Sequence, residues 1–307
     1  MKKRLLLCSL IINLVSTQCM PMTALRSFFL KYTPTVLYAV KKAPIALVNT
    51  ARNNKALTTA LALFSTAIAI PQSRSAISRG INSALNTGLI MAVDRGQVHI
   101  TKIFLKAGAN PNIAGNDGMT VLNMAAIKGN QAVVELLLTH GANPNFADKS
   151  GATALHRAAL YGDQAVVESL LTHGADPNLA YEDGRLALHY AVSLGYQAVV
   201  EILLAHGANP DLAGKSGRAA LHMAVSKGNQ AVVESLLTHG ANPNLADNEG
   251  TTALHMAISK DNQAVVESLL THGANPNLTN RYGESALSCA ILHGCQAIFR
   301  RLVNTKL

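Results

Sequence analysis

Apolar residues follow a helical rhythm in the later two thirds of the chain and a different one before it. Ala154, Leu155, Ala158 and Ala159 line one side of residues 153–162. Val166, Val167, Leu170 and Leu171 line one side of residues 164–173. That spacing predicts two short amphipathic helices in succession. Thr153 and Asp163 are favourable N-caps, because their side-chain oxygens accept from free N–H groups of the first turn. Gly162 and Gly174 are favourable terminators, since glycine adopts a positive φ without steric penalty. A polar, turn-rich stretch then leads to the next pair. The first third instead shows a compact apolar run, residues 5–15, behind Lys2, Lys3 and Arg4. A second run, residues 56–70, is diluted by Thr58, Thr59, Ser65 and Thr66.

The helical rhythm belongs to a longer period. Gly108-Ala109-Asn110-Pro111-Asn112 recurs, with small changes, from Gly141, Gly174, Gly207, Gly240 and Gly273, always 33 residues on. Gly118, Gly151, Gly184, Gly217, Gly250 and Gly283 keep the same register. One helix pair has too little apolar area to fold alone, but stacked neighbours bury each other's faces. The period therefore predicts an array.

Thr153-Ala154-Leu155-His156-Arg157-Ala158 and Thr252-Ala253-Leu254-His255-Met256-Ala257, spaced in the 33-residue register, resemble the T-P-L-H-x-A signature of the ankyrin repeat. Alanine stands in the proline place, where it favours the helix; the first full unit has Val121 there. The resemblance covers residues 85–307. It implies an all-α solenoid of antiparallel helix pairs with protruding turns or hairpins. The units are a degenerate one from about residue 85, five starting near residues 115, 148, 181, 214 and 247, and a final cap from about residue 280. The resemblance also implies that the Thr and His of the motif hydrogen-bond to tie the helix to its neighbouring turn. Leu186 and Ala219 replace Thr in adjacent units, so that middle region is expected to open first. Asn123 and Ser288 replace His in the outer units.

Charge then sharpens the division. Residues 1–93 hold 11 of the 26 Lys and Arg and none of the 17 Asp and Glu; the remainder sums to −2, which leaves the net +9 to the first third. The basic balance is therefore not a property of the repeats, and no nucleic-acid recognition motif accompanies it. A positive start, a short apolar run and the polar Ser16, Thr17 and Gln18 have the layout of a secretory signal peptide over residues 1–19. The run falls short of the roughly 20 residues a bilayer span needs. Cys19 is a candidate for lipidation, although Gln18 is larger than such signals prefer. Residues 20–84 form a basic, acid-free linker or helical segment. Within it, residues 56–70 read as a helix covering the open end of the array, as an interfacial helix on anionic lipid, or as linker.

Candidate chemistry is sparse. His156, His189, His222 and His255 occupy the T-x-L-H place, and His140, His173, His206, His239 and His272 precede a helix-ending glycine. Such ladders step by about 8–10 Å per packed helix, whereas zinc ligands converge within about 2 Å of one ion. No metal or other cofactor is expected. Cys289 and Cys295 read as packed small hydrophobes. Glu135, Glu168, Glu201, Glu234 and Glu267 share one register, which marks a solvated outer face. No catalytic motif is present and no enzyme activity is expected.

Function in a repeat array is expected where the units differ. The second helix is nearly invariant, so the variable turn and first-helix positions form the candidate surface. These are Arg157, Leu160, Tyr161, Arg185, Tyr190, Leu194, Arg218, Met223, Lys227 and Met256. Arg, Tyr and Met are residue types favoured at interfaces. The resemblance implies that they face a concave groove. The resulting expectation is an exported, monomeric, non-catalytic module that binds another protein. The alternative is a membrane-tethered scaffold held by residues 5–15 or 56–70.

Overall fold

The computed structural model describes residues 74–304. The signal-like run, Cys19 and the 56–70 stretch lie outside the described residues. The described chain falls into two units, one of residues 74–92 and 99–110, the other of residues 93–98 and 111–304. Its regular structure is helical: 14 helices and no strand among the described residues. The expected all-α repeat array is what forms.

In the first unit α1 (Arg74–Asp94) packs on α2 (Val98–Ala107). Leu85, Leu89, Phe104 and Leu105 are buried. Gly88 makes this possible, because a Cβ there would lie 2.2 Å from the Phe104 ring. The Asn86 side chain accepts a hydrogen bond from the Asn110 N–H at 2.9 Å.

The second unit is six helix pairs: α3 (Val121–Ile127) with α4 (Gln131–Thr139), α5 (Ala154–Tyr161) with α6 (Gln164–Thr172), and α7 (Ala187–Leu194) with α8 (Gln197–Ala205). Then come α9 (Ala220–Lys227) with α10 (Gln230–Thr238), α11 (Ala253–Ser259) with α12 (Gln263–Thr271), and α13 (Ala286–Leu292) with α14 (Gln296–Asn304). First helices pack on first helices and second on second. Of the capping predicted for one unit, the Thr153 hydroxyl meets His156 Nδ1 at 2.8 Å instead of a first-turn N–H, while the rest holds. Asp163 accepts from the Val166 N–H, and Gly162 terminates α5 with φ +73°.

Between pairs the chain makes a short hairpin. The N–H of Asp148 reaches the Ala152 carbonyl, and the N–H of Asp247 the Thr251 carbonyl, each at 3.0 Å. Successive hairpins also join: the N–H groups of Lys149, Glu182, Lys215, Asn248 and Arg281 donate to the carbonyls of Asp117, Ser150, Asp183, Ser216 and Glu249. This contact explains the second glycine series. A Cβ on Gly118 would sit 2.9 Å from the Lys149 nitrogen, and φ there is +80°.

A further ladder runs through the turns after the second helices. The Asn112 side chain donates from Nδ2 to the Gly141 carbonyl at 3.1 Å and accepts at Oδ1 from the Asn143 N–H at 2.7 Å. Asn145, Asn178 and Asn244 repeat both bonds 33 residues apart. At Asp211 only the acceptor half remains, from the Asn242 N–H at 2.9 Å. A carboxylate has no N–H to give the Gly240 carbonyl. Asp211→Asn is therefore expected to stabilise the array by about 1 kcal/mol, the usual net worth of one hydrogen bond. A urea midpoint that does not rise would show that water already serves Gly240 as well.

The motif histidines complete the link between units. The Nδ1 atoms of His156, His189, His222 and His255 each accept the N–H of the N-cap residue, at 3.0–3.3 Å. Thr153 and Thr252 add a hydroxyl contact to Nδ1 at 2.8 Å. At Leu186 and Ala219 that hydroxyl is missing, but the backbone half of the cap survives, so the loss at these units is partial. On the far side, Nε2 of His222 meets the Leu245 carbonyl and Nε2 of His255 the Glu284 carbonyl, both at 3.0 Å. Asn123 reproduces the device, pairing with the Thr120 hydroxyl at 2.8 Å and with the Ala152 carbonyl at 3.1 Å. Ser288 keeps only the near bond, from the Ser285 N–H at 2.7 Å.

Candidate functional site

The hairpins and the exposed ends of the first helices face each other across a groove. One cavity, between the unit that begins at Tyr181 and the one that begins at Gly214, has a volume of about 570 Å³. Asp183, Arg185 and His189 come from the first of these units; Gly214, Lys215, Ser216, Arg218, Met223 and Lys227 come from the second. Neither unit has the Asp that heads the hairpin at Asp148 and Asp247: they have Tyr181 and Gly214, while Gly115 and Asn280 stand at that position in the first and last units.

That substitution alters the turn. Asp148 accepts from the N–H groups of Ser150 and Ala152, from the Ser150 hydroxyl, and from Arg157 at 2.6 Å. Burial would raise its pKa, but these hydrogen bonds outweigh burial and hold it below the usual carboxylate value. Asp247 likewise accepts from Glu249 and Thr251, and from Arg218 of the preceding hairpin at 3.2 Å. In the Tyr181 unit no carboxylate fills the turn. Asp183, further along, instead takes the Arg185 N–H and forms an exposed pair with its guanidinium at 3.3 Å. In the Gly214 unit the head of the turn has no side chain at all, and the groove opens there.

Among the candidate residues, Arg185, Arg218, Met223 and Lys227 line the groove. Met223 is half-buried; the three cations are exposed. The other six lie outside its lining. Arg157 is held against Asp148. Tyr190 is half-buried in an edge-to-face cluster with His156 and Tyr181, ring centroids 6.2–6.4 Å apart. Leu160 and Met256 are half-buried, while Tyr161 and Leu194 are exposed at the helix end. Sequence reasoning did not single out Asp183 and the serines Ser193, Ser216 and Ser226, and it read His189 only as a motif residue; all of them also line the groove. The Asp lacking at positions 181 and 214 is lacking at Gly115 and Asn280 as well, so the register alone did not mark the place.

Burial depresses the pKa of all four motif histidines, with neighbouring carbonyls acting against it. His189 is lowered most, to about 4. Its Nε2 atom is buried without a hydrogen-bond partner; the Leu212 carbonyl is near enough to raise its proton affinity, but not in bonding geometry.

The outer glutamates prove to be more than a solvated face. Glu135 accepts from Ser169 at 2.6 Å, and Glu267 from Arg301 at 2.9 Å, so they bridge to the next second helix. Cys289 and Cys295 are buried free thiols. Among the described residues no group of three His, Cys, Asp or Glu is placed to hold a metal, and no helix is long and apolar enough to cross a membrane.

The repeat geometry and the groove define the class, a stacked-repeat interaction domain. The model for ankyrin repeats (3 copies) matches residues 89–181, 177–247 and 221–306, and the chain belongs to that family. Among solved structures, the ankyrin repeat domain of Bcl-3, described as a unique member of the IkappaB family, is similar at 33% identity and a TM-score of 0.65. That match covers 69% of this chain and 97% of the other. The human ASB11 ankyrin repeat domain is similar at 29% identity and a TM-score of 0.58, over 69% and 96% of the two chains. A comparison with curated proteins finds no match. Ankyrin repeats mark a protein–protein interaction module and are typically non-catalytic.

Proposed function

We propose that the protein is exported and docks a partner protein in the groove between the Tyr181 and Gly214 units. The observation that carries the docking reading is the convergence of Arg185, Arg218, Met223 and Lys227 on one groove of about 570 Å³. Nearly invariant second helices serve as scaffold, while Arg185, Arg218 and Lys227 among the variable positions are exposed. Met adapts to irregular surfaces, and Arg is enriched at binding hot spots. The export reading rests on the Lys2–Lys3–Arg4 head and the short apolar run behind it.

The triple change Arg185→Ala, Met223→Ala and Lys227→Ala tests the site. Helical circular dichroism should be unchanged, because none of the three is in the buried core, while capture of a partner from lysate falls about tenfold or more. Unchanged capture would move the site elsewhere. Mass spectrometry of the mature protein tests export; a first residue beyond the apolar run is expected, and an intact Met1 would overturn it.

A further inference from the structure

We propose that the groove takes an acidic segment of the partner protein, with its carboxylates held by Lys215, Lys227, Arg185 and Arg218. The inference rests on the docking reading above and names the chemistry of the occupant. Four cations and a single carboxylate, Asp183, line the groove. The region from residue 94 onward sums to −2, so this positive surplus is local and not a background property. Arg185 and Arg218 already have carboxylate neighbours, Asp183 at 3.3 Å and Asp247 at 3.2 Å. Lys215 and Lys227 take part in no ion pair among the described residues, and both are exposed. Lys215 stands on the hairpin and Lys227 in the last turn of α9, so cations come from both walls.

The rest of the lining suits a polypeptide. Ser193, Ser216 and Ser226 offer hydroxyls, and Met223 an apolar contact. No Phe, Tyr or Trp ring lines the groove, which disfavours single-stranded nucleic acid, whose bases stack on such rings. The chain's own first 93 residues carry 11 cations and no acid, so their charge does not complement the groove.

Fluorescence anisotropy of the full chain with a short labelled peptide of glutamate, leucine and glycine tests the proposal. Binding should weaken with added salt, as exposed charges are screened. Lys215→Glu with Lys227→Glu should weaken it about tenfold or more. The pair Lys102→Glu and Lys106→Glu makes the same change in net charge on α2, and should weaken it less than about twofold. Equal losses in the two pairs would overturn the groove as the site. Failure of the peptide to bind would overturn the acidic occupant, while the docking reading is judged separately by the Arg185/Met223/Lys227 capture experiment. A thymidine oligonucleotide that binds as tightly, and loses as much with the groove pair, would overturn the peptide in favour of nucleic acid.

Discussion

Lowering the pH from 7 to 4.5 is expected to cost the repeat array about 2 kcal/mol through His189 alone, the linkage value for a group that titrates near 6.5 unfolded and near 4 folded. The sign follows from burial. The folded ring resists protonation and the unfolded ring does not, so stability is full above about pH 6.5 and is lost as the pH falls toward 4. His156, His222 and His255 shift in the same direction and add to the loss. Asp148 and Asp247 are also depressed, from 3.8. Their unfolded forms remain largely ionised at pH 4.5, which leaves the imidazoles to dominate. Urea denaturation at the two pH values measures the effect. His189→Asn, with the amide that Asn123 uses at the same register, should lose clearly less on acidification. Equal losses in the two proteins would place the acid sensitivity elsewhere.

Asp148→Ala should destabilise the array by about 3 kcal/mol, the cost of leaving one charge of a buried pair uncompensated. The Asp148 side chain is 5% exposed and that of Arg157 24%. Truncation strands the guanidinium and also frees the N–H groups of Ser150 and Ala152. Replacing both partners, Asp148→Ala with Arg157→Leu, removes the orphaned charge and should recover part of the loss. Thermal unfolding of the two single variants and the double gives the coupling. Additive losses would mean that the pair contributes nothing beyond its separate members.

Much of this architecture was legible in the chain. Thr153, Asp163, Gly162 and Gly174 mark one helix pair, and the 33-residue register carries the marking to the rest. The boundaries hold because capping is local chemistry. What the register did not reveal are bonds between residues about 30 apart. Asn112 looks like an ordinary turn residue, and only the stacked fold brings it to the Gly141 carbonyl. Arg157 reads as an exposed variable cation, yet the hairpin draws it onto Asp148. Tyr190 reads as a contact residue, yet Tyr181, standing where Asp belongs, packs beside it. For the groove, the hairpin head varies along the whole register, with Asp only at 148 and 247, so Tyr181 and Gly214 did not stand out.

The Asp211 substitution has a mechanical meaning. In a linear array each unit touches only its neighbours, and rigidity is set by the softest joint. The joint between the Tyr181 and Gly214 units lacks the amide donor to Gly240. It is a built-in fault line, and the groove opens across it. A guest that grips Arg185 on one side and Lys227 on the other would splint the joint, so occupancy would be felt as stiffening along the array as well as at the contact itself.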